Sequence, residues 1–405
     1  MDIRNFKIKL KGDKVIWMIF LLFVAISILE VYSTLGKEVF DNHKSPTSMF
    51  GKHIFLLLLG TVVLYLTHNI KYKFFSRFSK IGLYVSIALL TVTLLIGTIG
   101  GKAAARWIAI PFVGQFQPSE IVKIILIVYI ARLLALYQDN IKSKEVFKKL
   151  IIPIIIVCLL IFPENFSTAA ILFAVCFIMM FIGRVSLKYL SILPIILFGF
   201  LFIVFIVNTI NPDLIDRFMT WSNRISDWYY VDLDAITQPN LARMAISTGG
   251  FFGKFLGNTE QARFLSESHN DFIFAIIIEE GGMIFGVLLM ALYMILLYRG
   301  IIIARRSKGY FGAFCSIGLI VMIVFQAMIN MFVATSLTPV TGQTLPFISY
   351  GGTSFLFSCV ALGIVLSISA EANKDLAKQQ LEQDVESQEE GEMKESVEDS
   401  EKGSN

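Results

Sequence analysis

The sequence is poor in charged residues, cysteine and histidine. Only 16% of its 405 residues are charged, against about 25% in ordinary soluble domains. A soluble enzyme, a disordered chain and a nucleic-acid-binding protein all carry more charge than this, so these three classes are excluded. The four cysteines lie in apolar stretches without a CxxC spacing or a nearby histidine. This pattern argues against a disulfide framework and against a zinc site.

Hydrophobic residues, by contrast, make up 56% of the chain, and the mean hydropathy is +0.71. An apolar stretch of about 20 residues can cross a bilayer as a helix, and the sequence contains many such stretches. We therefore predict an all-α polytopic membrane protein with ten transmembrane helices. The predicted spans are residues 15–35, 50–68, 81–99, 118–137, 149–162, 167–183, 188–210, 271–298, 310–333 and 351–370.

The distribution of Lys and Arg predicts the orientation of these spans. Residues 1–14 and the loops after even-numbered spans are rich in Lys and Arg, whereas the loop at 334–350 has no charge. Because cytoplasmic loops carry the positive excess, we predict cytoplasmic termini and a large extracytoplasmic loop at 211–270, between helices seven and eight. The membrane domain would cover residues 15–370. Residues 371–405 hold 12 acidic and 4 basic side chains and no aromatics, which predicts a disordered acidic cytoplasmic tail.

The first of three polar groups near the predicted outer membrane edge contains Arg106, Glu120 and Lys123. Glu120 and Lys123 are three residues apart on a predicted helix, so they share a face and can pair. This pair could be a neutralised structural ion pair. Alternatively, Arg106 and Lys123 could present positive charge to an anionic headgroup.

The second polar group is Glu267, His269 and Asp271, at the start of the eighth predicted span. An Asp at a helix N-terminus can simply cap free N–H groups. The alternation with Glu267 and His269, however, gives more ionisable chemistry than a cap needs. The three could also hold a divalent cation such as Mg or Mn, although two carboxylates and one His are a weak metal signal. Glu279 and Glu280, deeper in the same helix, are predicted to be structural anchors.

The third group is the uncharged, Gly- and Pro-containing segment 341–354, which includes Ser349 and Gly351. Irregular backbone near a membrane is tolerated where it lines a cavity or is buried in protein. Its hydroxyl side chains favour a lined pocket over a plain turn. Gln326 and Asn330 lie one turn apart in the ninth predicted span, and we expect them to bond to neighbouring helices.

These groups, in this order, resemble the SEDS family (shape, elongation, division and sporulation). The matching blocks are Arg106-Trp107-Ile108, Gln117-Pro118-Ser119-Glu120-x-x-Lys123, His269-x-Asp271-Phe272-Ile273-Phe274, Glu279-Glu280-Gly281 and Leu345-Pro346-Phe347-Ile348-Ser349-Tyr350-Gly351-Gly352. The motif Gly342-Gln343-Thr344-Leu345-Pro346 resembles the division members of the family more than the elongation members. The chain departs from the family pattern at Glu164-Asn165, at Phe255, where the pattern has Gly, and at Ser266.

The resemblance implies a peptidoglycan glycosyltransferase that polymerises lipid II into glycan strands outside the cytoplasmic (inner) membrane, at the division septum. It implies a class B penicillin-binding protein as the crosslinking partner, with other division proteins, and no nucleic acid. Asp271 corresponds to the family's essential acidic residue and is the predicted catalytic group. The residues predicted to bind substrate are Arg106, Glu120, Lys123, Glu267, His269, Ser349 and Gly351.

This chemistry fits the residues. A sugar hydroxyl is a poor nucleophile until a base such as Asp271 accepts its proton. The polyprenyl diphosphate leaving group needs positive charge, from Arg106, Lys123 or a bound cation. The alternatives are a lipid II flippase or other transporter, an elongation polymerase and a recruitment scaffold. Transporters usually place charged sites near the bilayer midplane, whereas these residues lie near one edge.

Overall fold

The computed structural model describes most of the chain and gives a bundle of helices. The described residues are 10–42, 46–99, 108–110, 114–196, 199, 202, 206, 224–226, 228–230, 237–265 and 268–402. The helices are α1 (Lys14–Asn42), α2 (Pro46–Asn69), α3 (Tyr72–Ile99), α4 (Pro118–Leu136), α5 (Lys144–Ile161), α6 (Phe166–Ile182), α7 (Leu187–Leu190), α8 (Gln238–Gly249), α9 (Ile273–Arg306), α10 (Tyr310–Ala334) and α11 (Gly352–Lys402).

One small element departs from the all-α prediction. Strands β1 (Ile108–Ile110) and β2 (Gly114–Phe116) pair antiparallel, with Ile108 opposite Phe116. Each strand has three residues, which is too short for an alternating pattern to predict it. After β2, Gln117 is the N-cap of α4 and Pro118 is its first residue, a position at which proline suits a helix.

Six helices of the described chain are long and apolar enough to cross a membrane, namely α1, α2, α3, α9, α10 and α11. The other four predicted spans differ in composition or length. Helix α4 carries Glu120, Lys123 and Arg132, α5 has four charged residues in its first six, and α6 has 17 residues. About half of the predicted span at 188–210 lies outside the described residues. The count of ten therefore stays a prediction, as do the loop topology and the cytoplasmic termini.

Helices α10 and α11 form the centre of the bundle. Their most apolar stretches are 67% and 72% buried, against 22% for α2 and 28% for α3. Helix α10 contacts α4, α6, α9 and α11. The outer helices instead present large apolar side chains outward, as Leu58 and Val92 do. An apolar exterior around a packed centre is the arrangement that lipid surroundings favour.

Two polar contacts join α1 and α9 at opposite ends of the bundle, and the distance between them can be compared with the thickness of a membrane. At one end, Asp13 caps α1 by accepting from the Val15 N–H at 2.8 Å, and its carboxylate accepts from Arg299 Nε at 3.0 Å. At the other end, the Ser33 hydroxyl donates to Glu280. From residue 13 to residue 33, α1 rises about 30 Å, and from 280 to 299, α9 rises about the same. This distance is about the thickness of a bilayer hydrocarbon core.

The acidic tail also differs from its prediction. Helix α11 continues without interruption to Lys402, where the sequence predicted disorder over 371–405. The segment is rich in Ala, Glu, Gln and Lys, which are strong helix formers. Its low apolar content and net charge indicated disorder, but local helix propensity decides its structure here.

Candidate active site

Asp271 lies in the turn immediately before α9 and is half-buried. The N-cap position of α9 is occupied by Phe272. Asp271 therefore precedes the N-cap position of α9 by one residue.

The backbone of Asp271 is held by Asn330 of α10, which is fully buried. The Asn330 side-chain amide donates to the Asp271 carbonyl at 2.8 Å and to the Gln343 carbonyl at 2.7 Å. One side chain therefore ties the turn before α9 to the uncharged segment that follows α10. Asn330 was expected to bond to a neighbouring helix, but its two partners lie in the turn before α9 and in the uncharged segment.

Gly342 lies next to the Asp271 carboxylate. Its φ is +67°, and a Cβ built on it would lie 3.6 Å from Asp271 Oδ2. A positive φ favours glycine because other residues meet steric resistance there. The backbone of the uncharged segment therefore approaches the carboxylate closely at a residue that has no side chain.

Ser349 and Tyr350 fasten the same segment to the chain just before Asp271. The Ser349 hydroxyl donates to the Asn270 carbonyl at 2.7 Å, and the Tyr350 N–H donates to the His269 carbonyl at 2.8 Å. Ser349 is buried and also accepts from the Leu345 N–H. The Ser349 hydroxyl therefore holds two parts of the backbone together. Gly351 is half-buried and directly precedes the first residue of α11.

Three buried side chains hold the uncharged segment 341–354 in place through hydrogen bonds. The Ser27 hydroxyl donates to the Ile348 carbonyl at 2.7 Å, and His53 Nε2 lies 3.0 Å from the same hydroxyl oxygen. Tyr293 donates to the Pro346 carbonyl at 2.5 Å. Helices α1, α2 and α9 therefore each contribute to the position of the segment. No sequence pattern had singled out these three residues.

Glu120 and Lys123 pair as predicted, with 2.9 Å between Lys123 Nζ and Glu120 Oε1. Both are buried, and Lys123 is only 2% exposed. Lys123 also donates to Gln326 Oε1 at 3.2 Å, and Ser354 donates to the other Glu120 oxygen at 3.3 Å. Gln326 in turn donates to the Thr344 carbonyl. The pair is therefore part of a network that reaches both ends of the uncharged segment.

Two of the predicted site residues, Arg106 and Glu267, lie outside the described residues. The arrangement of Glu267 relative to His269 and Asp271 therefore stays a prediction. Across the described residues, no group of three or more His, Cys, Asp or Glu side chains is arranged to hold a metal ion. The His269 ring packs edge-on against Tyr350, with 5.4 Å between centroids.

The departure from the family pattern at Asn165 has a local explanation. Asn165 is the N-cap of α6, and its side chain accepts from the Thr168 N–H at 3.2 Å. The Thr168 hydroxyl then accepts from the Gln343 side chain at 3.0 Å. The N-terminus of α6 is thereby joined to the uncharged segment beside Gly342. Glu164, immediately before this cap, is fully buried.

Glu279 and Glu280 are structural anchors, as predicted. Glu279 accepts from the Thr259 hydroxyl at 2.5 Å, the Glu260 N–H at 2.9 Å and the Lys254 ammonium at 3.2 Å. Burial lowers the pKa of Lys254, but its hydrogen bonds to Glu279 and Glu260 outweigh this effect and raise the pKa overall. These contacts fix the segment before Asp271 onto α9.

Comparison with known proteins agrees with the family resemblance. The family model described as "Cell cycle protein" (FtsW, RodA and SpoVE) matches residues 13–374. The stage V sporulation protein E of Bacillus subtilis is 34% identical over 377 residues, which cover 89% of this chain and 98% of the relative. A protein of Trichlorobacter lovleyi named "Probable peptidoglycan glycosyltransferase FtsW" is 33% identical over 363 residues, with 88% and 93% covered.

A solved structure has a similar fold. It was described under the heading "Structural coordination of polymerization and crosslinking by a peptidoglycan synthase complex". The TM-score is 0.67 at 23% sequence identity, and the match covers 90% of this chain and 99% of that chain. At this identity the likeness concerns the fold alone.

Proposed function

The chain belongs to the FtsW, RodA and SpoVE family of integral membrane proteins, and we propose that it is a peptidoglycan glycosyltransferase that polymerises lipid II at the outer face of the cytoplasmic membrane. A relative that is 33% identical over 88% of this chain carries this activity in its name. The structural observation that carries the proposal is the placement of Asp271. Its backbone is held by buried Asn330, and its carboxylate meets a loop backbone at Gly342.

Asp271 is proposed as the general base. It accepts the proton of the acceptor sugar hydroxyl while the hydroxyl oxygen forms a bond to the anomeric carbon of the donor sugar. The bond between that carbon and the diphosphate oxygen breaks, and the polyprenyl diphosphate leaves with the electron pair. One carboxylate suffices for direct displacement with inversion, whereas retention requires a second, nucleophilic carboxylate.

The diphosphate leaving group needs positive charge, and we assign this role to Arg106 and Lys123. Lys123 already bonds to Glu120 and Gln326, so direct contact with a diphosphate requires exchange of these partners. Glu120 is proposed to hold the ammonium in place. A Mg or Mn ion held by Glu267, His269 and Asp271 would add positive charge there.

The remaining proposed substrate-binding residues, His269, Ser349 and Gly351, surround the Asp271 turn. We propose ten spans with both termini in the cytoplasm, which puts this turn on the outer face. The partner would be a class B penicillin-binding protein that crosslinks the new strands, together with other division proteins. The name FtsW of several relatives supports a site of action at the division septum.

The direct test is polymerisation of purified lipid II by the purified protein with its transpeptidase partner. Asp271→Asn keeps the side-chain size but removes the base. We expect turnover to fall by about 10²- to 10⁴-fold, while binding of lipid II and of the partner persists. Asp271→Glu should also be poor, because moving the carboxylate by about 1 Å breaks a tight positional requirement.

The matched control is Asp139→Asn, which makes the same substitution at an exposed residue of a 3₁₀ turn far along the chain. It should polymerise at the unaltered rate. Protein amount and melting temperature are measured for all three variants. A folded Asp271→Asn protein that polymerises normally would show that the carboxylate is not the base and would favour a transporter or scaffold role.

A further inference from the structure

Helix α9 is interrupted at Gly282, and a loop of residues 250–256 packs against the interruption. Gly282 has φ +75° inside the helix. The Met283 N–H donates to the Gly250 carbonyl at 2.9 Å, and the Phe255 N–H donates to the Glu280 carbonyl at 2.9 Å. The loop thus supplies partners for backbone groups that an unbroken helix would pair internally. These hydrogen bonds hold the loop against residues 280–283 of α9.

The side chains of this loop are exposed and apolar. Phe251, Phe252 and Phe255 are 67%, 77% and 75% exposed, and Leu256 is 55% exposed. The charge of Lys254 is balanced by Glu279 and Glu260. Four large apolar groups in adjacent positions are more than a water-facing loop normally carries.

The backbone at Phe255 adds a second observation. Its φ is +66°, in the left-handed region where non-glycine residues are disfavoured. The family pattern has Gly at this position, so the chain carries a phenyl group where the backbone alone would prefer none. Strain of this kind persists only where other interactions compensate for it.

The position at which the loop contacts α9 indicates what surrounds its exposed apolar side chains. The contact between Ser33 and Glu280 marks one edge of the 30 Å stretch defined above, and the loop meets α9 at this edge. Inside this stretch, next to the loop, α9 exposes Met283 and Val287, at 49% and 58%, within a candidate membrane span. The loop's apolar surface is therefore continuous with a helix surface that lies in lipid.

We propose that residues 250–256 form a membrane anchor, with Phe251, Phe252, Phe255 and Leu256 inserted among the acyl chains at the edge of the outer leaflet. An aromatic-rich segment lying in the interface gains stability from the apolar area that it removes from water. Part of the predicted extracytoplasmic loop 211–270 thus returns to the membrane. The inference rests on the chain spanning the bilayer and does not depend on its catalytic activity.

The test uses two single-cysteine variants, Phe252→Cys in the loop and Arg263→Cys as a water-facing control. Arg263 is exposed, charged and in the same extracytoplasmic region. Each variant is labelled with an environment-sensitive fluorophore and placed in phosphatidylethanolamine–phosphatidylglycerol vesicles at no more than one protein per vesicle. The parent protein, whose own cysteines are buried or half-buried, gives the labelling background.

We expect the label at residue 252 to be quenched several-fold more by lipids carrying a spin label high on the acyl chain than by iodide in water. The label at residue 263 should behave in the opposite way. Equal iodide quenching at both positions would place the loop in water and overturn the proposal. Protection of residue 252 from both quenchers would overturn it too, because the loop would then be covered by protein. Melting temperatures of both variants should match the parent.

Discussion

At the scale of single residues, hydrogen bonds join the uncharged segment after α10 to distant parts of the chain. Asn330, Gln343 and Ser349 each use their polar atoms on backbone or side-chain partners around Asp271. Phe347 adopts φ +67° inside this segment and stacks on Phe23 at 5.8 Å between ring centroids. A non-glycine residue in this conformation needs such packing to persist. The segment is therefore a preorganised wall beside the carboxylate, which suits a group that must meet its substrate in one geometry.

The pair of Glu120 and Lys123 yields a prediction that separates structure from chemistry. Lys123→Ala leaves the Glu120 charge buried without its ion-pair partner, which should destabilise the protein by about 3–5 kcal/mol. The double variant Glu120→Gln with Lys123→Met removes both charges and should recover most of this stability. If Lys123 serves the diphosphate, the double variant should still polymerise lipid II poorly. The measurements are melting temperature and strand formation.

Glu120→Gln alone completes the set, because it keeps the ammonium and the side-chain size. It should lose less activity than Lys123→Ala. Should the double variant regain both stability and normal polymerisation, the pair would be structural only, and the positive charge for the leaving group would have to come from elsewhere.

Residue-level prediction succeeded where a local spacing carries the information. Glu120 and Lys123 were predicted to pair because residues three apart share a helix face. Ser27 and His53 were missed because each is a lone polar residue in an apolar helix, and their contact joins positions 26 apart. Nothing in either helix indicates which residue of another element it will meet.

At the scale of elements, α9 joins the candidate site to the membrane anchor. Its first turns follow Asp271, its interruption receives the loop 250–256, and its remainder is an apolar span. Backbone groups freed by the interruption are satisfied by the loop, which is the condition for broken helices near a membrane. The apolar stretch predicted the start of α9 to within two residues, but the helix ends at Arg306 rather than at residue 298. The interruption was not predicted, because Gly281-Gly282 in an apolar run also fits an ordinary helix.

Gly282→Ala should therefore disrupt this part of the fold. A Cβ there would lie 2.2 Å from the Phe251 carbonyl oxygen, and the φ of +75° is unfavourable for alanine. The obstructing atom belongs to backbone that cannot move aside alone. We expect a loss of at least about 2 kcal/mol in stability, measured as a lower melting temperature in detergent.

The control is Gly51→Ala in α2, where an added Cβ would meet nothing within 4 Å. Because alanine is favoured over glycine inside a helix by up to about 1 kcal/mol, this variant should melt at the same temperature or slightly higher. If both variants melt alike, the contact between loop 250–256 and the interruption in α9 is not the tight junction described above.

At the scale of the whole molecule, the polar contacts separate into two ends. One end holds the contact of Asp13 with Arg299 and that of Arg132 with the Ser76 carbonyl, close to the Lys- and Arg-rich loops. The other end holds the Asp271 turn. A transporter would place its broken helix near the midplane, but the Gly282 interruption lies about 25 Å along the helix from Arg299. This arrangement favours chemistry on one face over passage through the bundle.

The asymmetry of the two ends predicts the orientation of the protein. Lys and Arg accumulate on the cytoplasmic side of membrane proteins, so the end that contains Asp13 and Arg299 should be inside and the Asp271 end outside. Cysteines are introduced singly at Arg263, Lys144 and Lys374, which are exposed positions. A membrane-impermeant thiol reagent added to intact cells should label only the cysteine at 263. After permeabilisation, those at 144 and 374 should label as well. Labelling of 144 or 374 in intact cells, with 263 protected, would invert the molecule and move Asp271 to the side where no glycan strand is built.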